Sequence, residues 1–328
     1  MTQIRVGVVG AGNMGRNHLR VYDQLKGAEL VGFFDPEPAK QVQFSELYAC
    51  QAFSDIEAML DNVDAVSICS PSSLHEEIAL KFIQAGVVCL IEKPLATTLY
   101  GADHLIEAAD SRGMPIAVGH IERFNPAVQQ LTTLLEQGAK IHSITTERLS
   151  AVSSRIKDVD VVADLMVHDL DIVLSLAGAS VTDLYAVESK NTENGSGDHV
   201  TALFQFANGV SASLTASRVS AKPARRLTAI TDRGVVEIDY SNQSVDVFLA
   251  HTTIEHDFSN APFGEYVSGI SLESVQVRRA EPLVLELSQF LAVARGEEVP
   301  LVDARQGKRA IEMVTRIQDH LKNGQGND

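Results

Sequence analysis

The sequence predicts two folds in series: an α/β N-terminal domain on a doubly wound parallel sheet, then an α+β C-terminal domain with a large open, mainly antiparallel sheet. Three observations carry this. Up to about residue 119, short β-rich apolar runs alternate with longer amphipathic stretches, the signature of parallel strands joined by crossover helices. From Val181 to Phe258, apolar and polar residues alternate between recurrent turn pairs, as in antiparallel strands with one covered face. A length of 328 residues exceeds one typical domain and suits two. The cut falls between residues 1–120 and 121–328.

The strands expected in the first domain are Ile4–Val9, Glu29–Phe34, Ala65–Cys69, Val87–Ile91 and Ile116–Val118, mostly continuous apolar runs, with a short strand near Ala52. Such runs suit strands covered on both faces. Ser54 followed by Glu57 reads as a capping box that opens a short helix. Helical spacing extends over Leu74–Ala85 and Thr98–Arg112. After Phe124 come a helix to about Gln137, a strand over Ile141–Leu149 and a helix through Val161–Leu176. Turn signals at Asn194-Gly195, Asn208-Gly209 and Arg233-Gly234 divide the antiparallel run. Helices over about Glu281–Arg295 and Ala304–Lys322 follow, and Asn323–Asp328 is expected to fray.

Apolar residues at 45% and charged residues at 21% describe a globular chain. A net charge of -16 argues against sequence-independent nucleic-acid binding, which needs a broad basic surface. It leaves room for a local cationic pocket. The three cysteines, Cys50, Cys69 and Cys89, have no C-x-x-C spacing, so neither a disulfide framework nor a zinc site is expected, and no metal is. The apolar run Ile4–Val9 is too short for a signal-peptide core, and no run approaches membrane-spanning length. The expectation is a cytoplasmic protein without membrane or nucleic-acid partners.

Gly10-Ala11-Gly12-Asn13-Met14-Gly15 follows the first strand and opens a helix, the context in which G-x-G-x-x-G marks a dinucleotide-binding Rossmann domain. Gly10 permits the tight turn, Gly12 lets amides approach a pyrophosphate, and Gly15 allows close helix packing. Asp35 ends the second strand, twenty residues after Gly15, where a carboxylate can accept from ribose hydroxyls. No Arg or Lys stands in Asp35-Pro36-Glu37-Pro38. A 2'-phosphate would meet repulsion there, which favours NAD over NADP.

Glu92-Lys93-Pro94 closes the fifth strand at the carboxyl edge of the sheet, where open α/β folds bind ligands. Asp164 and His168 lie four residues apart on an expected helix, with Asp171 three further on, so they share a face. This combination resembles the glucose-fructose oxidoreductase and inositol dehydrogenase (Gfo/Idh/MocA) family over nearly the whole chain. The family's S-P-x-x-x-H loop is present as Ser70-Pro71-Ser72-Ser73-Leu74-His75, with Ser72 where Asn is frequent. The resemblance implies that Ser70, Pro71, His75, Glu92 and Lys93 border the cofactor. It also implies that Lys93 and His168 sit beside the nicotinamide and the reacting carbon, that Asp164 orients substrate, and that Lys93-Pro94 is cis.

The implied chemistry removes a hydroxyl proton while hydride leaves the same carbon, which needs a base and a cationic stabiliser. Lysine starts near ~10.4 and would need lowering by about three units to be neutral at pH 7, whereas histidine starts near ~6.5. His168 is therefore favoured as acid/base and Lys93 as stabiliser, although a positive nicotinamide could reverse the roles. Within the family, Gly119-His120-Ile121-Glu122-Arg123-Phe124-Asn125-Pro126, the stretch Asp164–Asp171 and Lys222–Tyr240 are similar to the branch that oxidises UDP-N-acetylglucosamine at C3. Where related enzymes often have glycine shortly before the catalytic helix, this chain has Asp160 and Ala163. Arg123, Asn125 and Arg225 become substrate-side candidates, and Arg155, Arg218, Lys222, Arg225 and Arg226 are cations available to a pyrophosphate. A dehydrogenase of a free sugar or inositol is the alternative, with a dinucleotide-sensing regulator behind it. The family also implies a homodimer or homotetramer through the C-terminal sheet, to which Leu203, Phe204 and Phe206 offer apolar material.

Overall fold

A computed structural model describes residues 3–151, 160–189, 198–253 and 267–323. The chain divides into two compact units, one of Met1–Phe124 with Ala280–Arg316 and the other of Asn125–Arg279 with Ile317–Asp328.

The first unit begins β1 (Ile4–Val9), α1 (Asn13–Gln24), β2 (Ala28–Phe34), α2 (Pro38–Tyr48), β3 (Gln51–Ala52), α3 (Glu57–Leu60), β4 (Ala65–Ile68), α4 (His75–Ala85), β5 (Val88–Glu92), α5 (Leu99–Arg112) and β6 (Ile116–Gly119). Its six strands are all parallel, in the order β3-β2-β1-β4-β5-β6. The order reverses between β1 and β4, so the loops after these strands open the crevice where such sheets take ligands. The expected capping box is replaced by a neighbour: Asp55 Oδ1 accepts the Ala58 N–H, and the Ser54 hydroxyl donates to Asp55 Oδ2. A carboxylate one residue closer to the helix outcompetes the serine hydroxyl as acceptor.

The second unit holds α6 (Pro126–Glu136), β7 (Ile141–Leu149), α7 (Val167–Ala177), β8 (Val181–Ser189), β9 (His199–Phe206), β10 (Ser211–Ser217), β11 (Ala224–Thr231), β12 (Gly234–Asp239), β13 (Ser244–Thr253) and β14 (Val267–Val275). The eight strands run in the order β14-β13-β12-β11-β7-β10-β9-β8 and are antiparallel except for the β7/β10 pair. β14 was not expected. Asn194-Gly195, Phe258 and the tail after Asn323 lie outside the described residues. Strand parity corrects one reading: Phe204 and Phe206 are buried on the covered face, while Leu203 is 48% exposed on the other.

The single expected cut misses the return of α8 (Pro282–Ala294) and much of α9 (Ala304–Asn323) to the first unit. The cause is apolar. Leu283, Leu287, Phe290 and Leu291 of α8 join Leu19 and Tyr22 of α1 in one core cluster against the sheet. Val302, Ala304 and Ile311 join α4 and α5 side chains such as Phe82 and Leu105 in the other. Both faces of the parallel sheet are thus covered.

Candidate active site

The glycine turn is built as the motif requires. Gly10 has φ +87, and a Cβ there would lie 2.8 Å from the Cys69 carbonyl oxygen and the Ser70 nitrogen. The loops after β1 and β4 therefore touch, and only glycine allows it. A Cβ on Gly15 would sit 1.7 Å from the Gly10 oxygen. Gly12, by contrast, faces open space and caps α1, whose first turn, Asn13-Met14-Gly15, carries no acidic side chain. Nothing there repels a phosphate drawn to the helix N-terminus.

Beside it lies a cavity of about 670 Å³ lined by Gly10, Gly12, Asp35, Lys40, Ser70 and Pro71 among others. Asp35 is buried; its Oδ2 accepts the Ala11 N–H at 2.7 Å and its Oδ1 accepts the Glu37 N–H at 3.0 Å. A carboxylate has further lone pairs for ribose hydroxyls. The size, the glycine-lined approach and this acceptor fit a dinucleotide. The expectation that no cation accompanies Asp35 is overturned. Pro38 at the first turn opens α2, which brings Lys40 Nζ to 2.9 Å from Glu37 and 3.5 Å from Asp35.

Lys93 leaves the end of β5, half-buried, and the Lys93-Pro94 bond is cis. Glu92 is buried beneath it: Oε1 lies 3.1 Å from His18 Nε2, and Oε2 accepts the Lys93 backbone N–H at 3.3 Å. His75, expected at the cofactor edge, turns both ring nitrogens to backbone carbonyls, Nδ1 to Pro94 at 2.8 Å and Nε2 to Ser70 at 3.0 Å. Burial pushes its pKa down, against the pull of those carbonyls. Its part is to tie the β4 and β5 loops together. His75→Ala is expected to cost about 1–3 kcal/mol in urea unfolding, the penalty of unpairing buried groups. A depressed histidine pKa stabilises fully above the unfolded value of 6.5 and loses that contribution as pH falls through the folded value. The wild type should therefore lose more stability on acidification than the variant.

In the second unit, the expected helix over Val161–Leu176 opens differently: Val162–Met166 is a π turn and α7 begins at Val167. Asp164 and His168 flank that junction, both half-buried among buried Val162, Met166, Val167 and Leu170. Such turns frequently mark functional sites. Asp160, one of the departures from the glycine pattern, accepts the N–H groups of Val162 and Ala163 at 2.9 and 3.0 Å, and so anchors the turn that presents Asp164. Arg218 is buried, with Nη2 3.8 Å from Asp164 Oδ2. Asp171 is buried.

The other substrate-side candidates separate. Arg123 is half-buried in the 3-10 turn Ile121–Phe124 of the first unit. Asn125 is only 2% exposed; its oxygen caps α6 through the Ala127 N–H and its nitrogen donates to the Tyr240 carbonyl. It holds structure where substrate contact was expected. Arg225 pairs across the strands with Arg148 on the covered side, whereas Arg226 pairs with Glu147 and Asp239 on the open face, in a groove also lined by Glu237 and Asp246. Strand alternation thus splits the arginine pair, and the open face is acidic around Arg226. Lys222 is exposed, and Arg155 lies outside the described residues.

What sequence reasoning missed is the buried pair Arg148–Asp169, bonded at 2.8 and 2.9 Å with the guanidinium 5.4 Å from the Tyr240 ring centre. Asp169 adjoins His168, so the signal was the D-x-x-x-H segment itself. No helix among the described residues is long and apolar enough to cross a membrane.

Residues 4–120 match the oxidoreductase family with an NAD-binding Rossmann fold, and residues 147–237 match the Gfo/Idh/MocA C-terminal domain. A UDP-N-acetylglucosamine 3-dehydrogenase of Acidithiobacillus ferrooxidans is 33% identical over 97% of both chains. A solved structure of that name from the same organism matches with a TM-score of 0.87 at 31% identity, covering 98% of this chain and 99% of its own. An inositol 2-dehydrogenase of Corynebacterium glutamicum is 30% identical over 63% of this chain and 65% of its own. The chain belongs to the Gfo/Idh/MocA family of oxidoreductases, with an NAD-binding Rossmann fold in its first unit.

Proposed function

We propose that this dehydrogenase oxidises C3 of UDP-N-acetylglucosamine to the 3-keto sugar with NAD. The observation that carries the substrate is the likeness to the 3-dehydrogenase, which runs over 97% of the chain, against 63% for the inositol enzyme. The first unit fits the cofactor through Gly10, Gly12, Asn13, Met14, Gly15 and Asp35, and bound NAD supplies the hydride acceptor. His168 takes the hydroxyl proton, Lys93 holds the hydroxyl oxygen and stabilises its developing charge, and Asp164 orients the sugar, its carboxylate steadied by Arg218. Arg123 and Arg225 are the cations offered to the substrate. The enzyme works in the cytoplasm as a homodimer or homotetramer through the open face of the C-terminal sheet, where Tyr185, Val187 and Leu203 are exposed.

NAD is preferred because Asp35 and Glu37 meet a 2'-phosphate with two carboxylates that Lys40 alone already pairs. NAD should exceed NADP in kcat/KM by about tenfold or more. The function is tested by incubating the protein with NAD and either UDP-N-acetylglucosamine or myo-inositol while following reduced cofactor. Turnover confined to the nucleotide sugar supports the reading, and turnover confined to the polyol overturns it.

A further inference from the structure

Alternation along the parallel strands puts Ser67 and Cys69 on the same face of the first-unit sheet as Ala65, and Glu92 on the same face as Leu90, under the cluster that α1 and α8 cover. Into that layer α1 inserts His18 and Tyr22, and α8 inserts Glu286 between Leu283 and Leu287. The hydride-transfer scheme uses none of His18, Cys69, Tyr22 or Glu286. These polar side chains meet in a place otherwise built of aliphatic and aromatic residues.

The groups are not equivalent. Both Glu92 oxygens face donors, His18 Nε2 at 3.1 Å and the Lys93 N–H at 3.3 Å, which suits an ionised carboxylate. Glu286 is 2% exposed, and neither of its oxygens bonds to any described residue. An ionised carboxylate in that position would be costly, and the group relieves the cost by holding a proton. Burial, then the negative charge of Glu92, push its pKa well up. His18 is fully buried and its Nδ1 also has no partner among the described residues. The remaining groups are neutral neighbours: burial foremost, with Glu92 and Glu286, holds the Cys69 thiol protonated, and the Tyr22 hydroxyl is engaged with Ser67 at 2.7 Å.

We propose that Glu286 holds a proton, so that Glu92 is the charged member of these two carboxyl groups, and that His18, with Nε2 turned to Glu92, fixes that carboxylate and through it the Lys93 backbone. The polarities agree at each step. An imidazole N–H meets one oxygen of the carboxylate, and the other oxygen takes the N–H of the residue that follows. His18 and Glu286 are positioning residues. Only their effect on turnover rests on the reading of Lys93 as a reacting-site residue.

A carboxyl whose folded pKa stands above its unfolded value of 4.5 stabilises fully below that value and loses the contribution as pH rises through the folded pKa. Gln, neutral throughout, has no such loss. Tm of Glu286→Gln, relative to wild type, should therefore rise as pH is raised above 4.5. A flat or falling difference overturns the proposal. In wild-type protein with 15N-labelled histidine, assigned by His18→Gln, His18 Nε2 should carry a proton bonded to the Glu92 carboxylate. An Nε2 without a proton overturns it, as does one equivalent of tightly held metal found by elemental analysis.

For the positioning role, His18→Asn should lower kcat by about tenfold while Kd for NAD changes by less than about threefold. Unchanged kcat overturns that role. The stability, NMR and NAD-binding readouts need no sugar, so a wrong substrate would silence the wild type as well and leave them intact.

Discussion

Lys93→Ala is expected to lower kcat by roughly a thousandfold, within the range that a positioned proton-transfer or charge-stabilising group contributes. The residue is held from two sides of its own loop: Glu92 accepts its N–H, and the Pro94 carbonyl is engaged by His75. Such preparation is wasted on a merely solvated lysine. Because the cavity that fits the dinucleotide is lined by other residues, Kd for NAD should change only a few-fold. A loss confined to kcat places Lys93 in the transition state, whereas a loss confined to KM would make it a binding residue. Lys93→Arg should not restore activity, since a planar guanidinium cannot present a compact charge in the same place. Stopped-flow measurement of cofactor reduction in a single turnover separates the chemical step from product release.

Asp169→Ala is expected to destabilise the protein by about 3–5 kcal/mol, because it leaves a buried guanidinium without its counter-charge. Arg148 and Asp169 are both nearly inaccessible and share two short bonds, and Tyr240 adds its ring face to the same guanidinium. Urea unfolding of Arg148→Met, of Asp169→Leu and of the double variant Arg148→Met/Asp169→Leu forms a thermodynamic cycle. The double variant should lose much less than the sum of the singles, since it removes both charges together. A double variant as unstable as that sum would mean that the pair does not act as a unit. Asp169 adjoins His168 on α7, so kcat of the folded Asp169→Ala fraction should fall as well.

The parallel sheet was legible because a strand covered on both faces must be apolar throughout, and β1, β4 and β5 advertise this in Val6, Val8, Val66, Ile68 and Leu90. The glycine turn was legible because its steric demands fall on three positions of one hexapeptide. Lys40 was missed because the reading stopped at Pro38, the residue that opens the helix bringing the lysine back. The return of α8 to the first unit leaves no local trace: its apolar stripe would cover any sheet equally well, and the choice is made by tertiary packing. Arg225 and Arg226 could have been separated from sequence, since neighbours in a strand face opposite ways. Glu286 is the opposite case. A glutamate within an apolar helix reads as its solvent side until α1 and the sheet are seen to bury it.

The most direct measurement uses UDP-N-acetylglucosamine carrying deuterium at C3, incubated with the protein and NAD, with the reduced cofactor analysed by mass spectrometry. Deuterium in the reduced cofactor, together with a 3-keto nucleotide sugar, is the result predicted. Reduced cofactor without the label would show oxidation at another carbon, and no reduction at all by protein that binds NAD would contradict the assignment of a nucleotide sugar to this site.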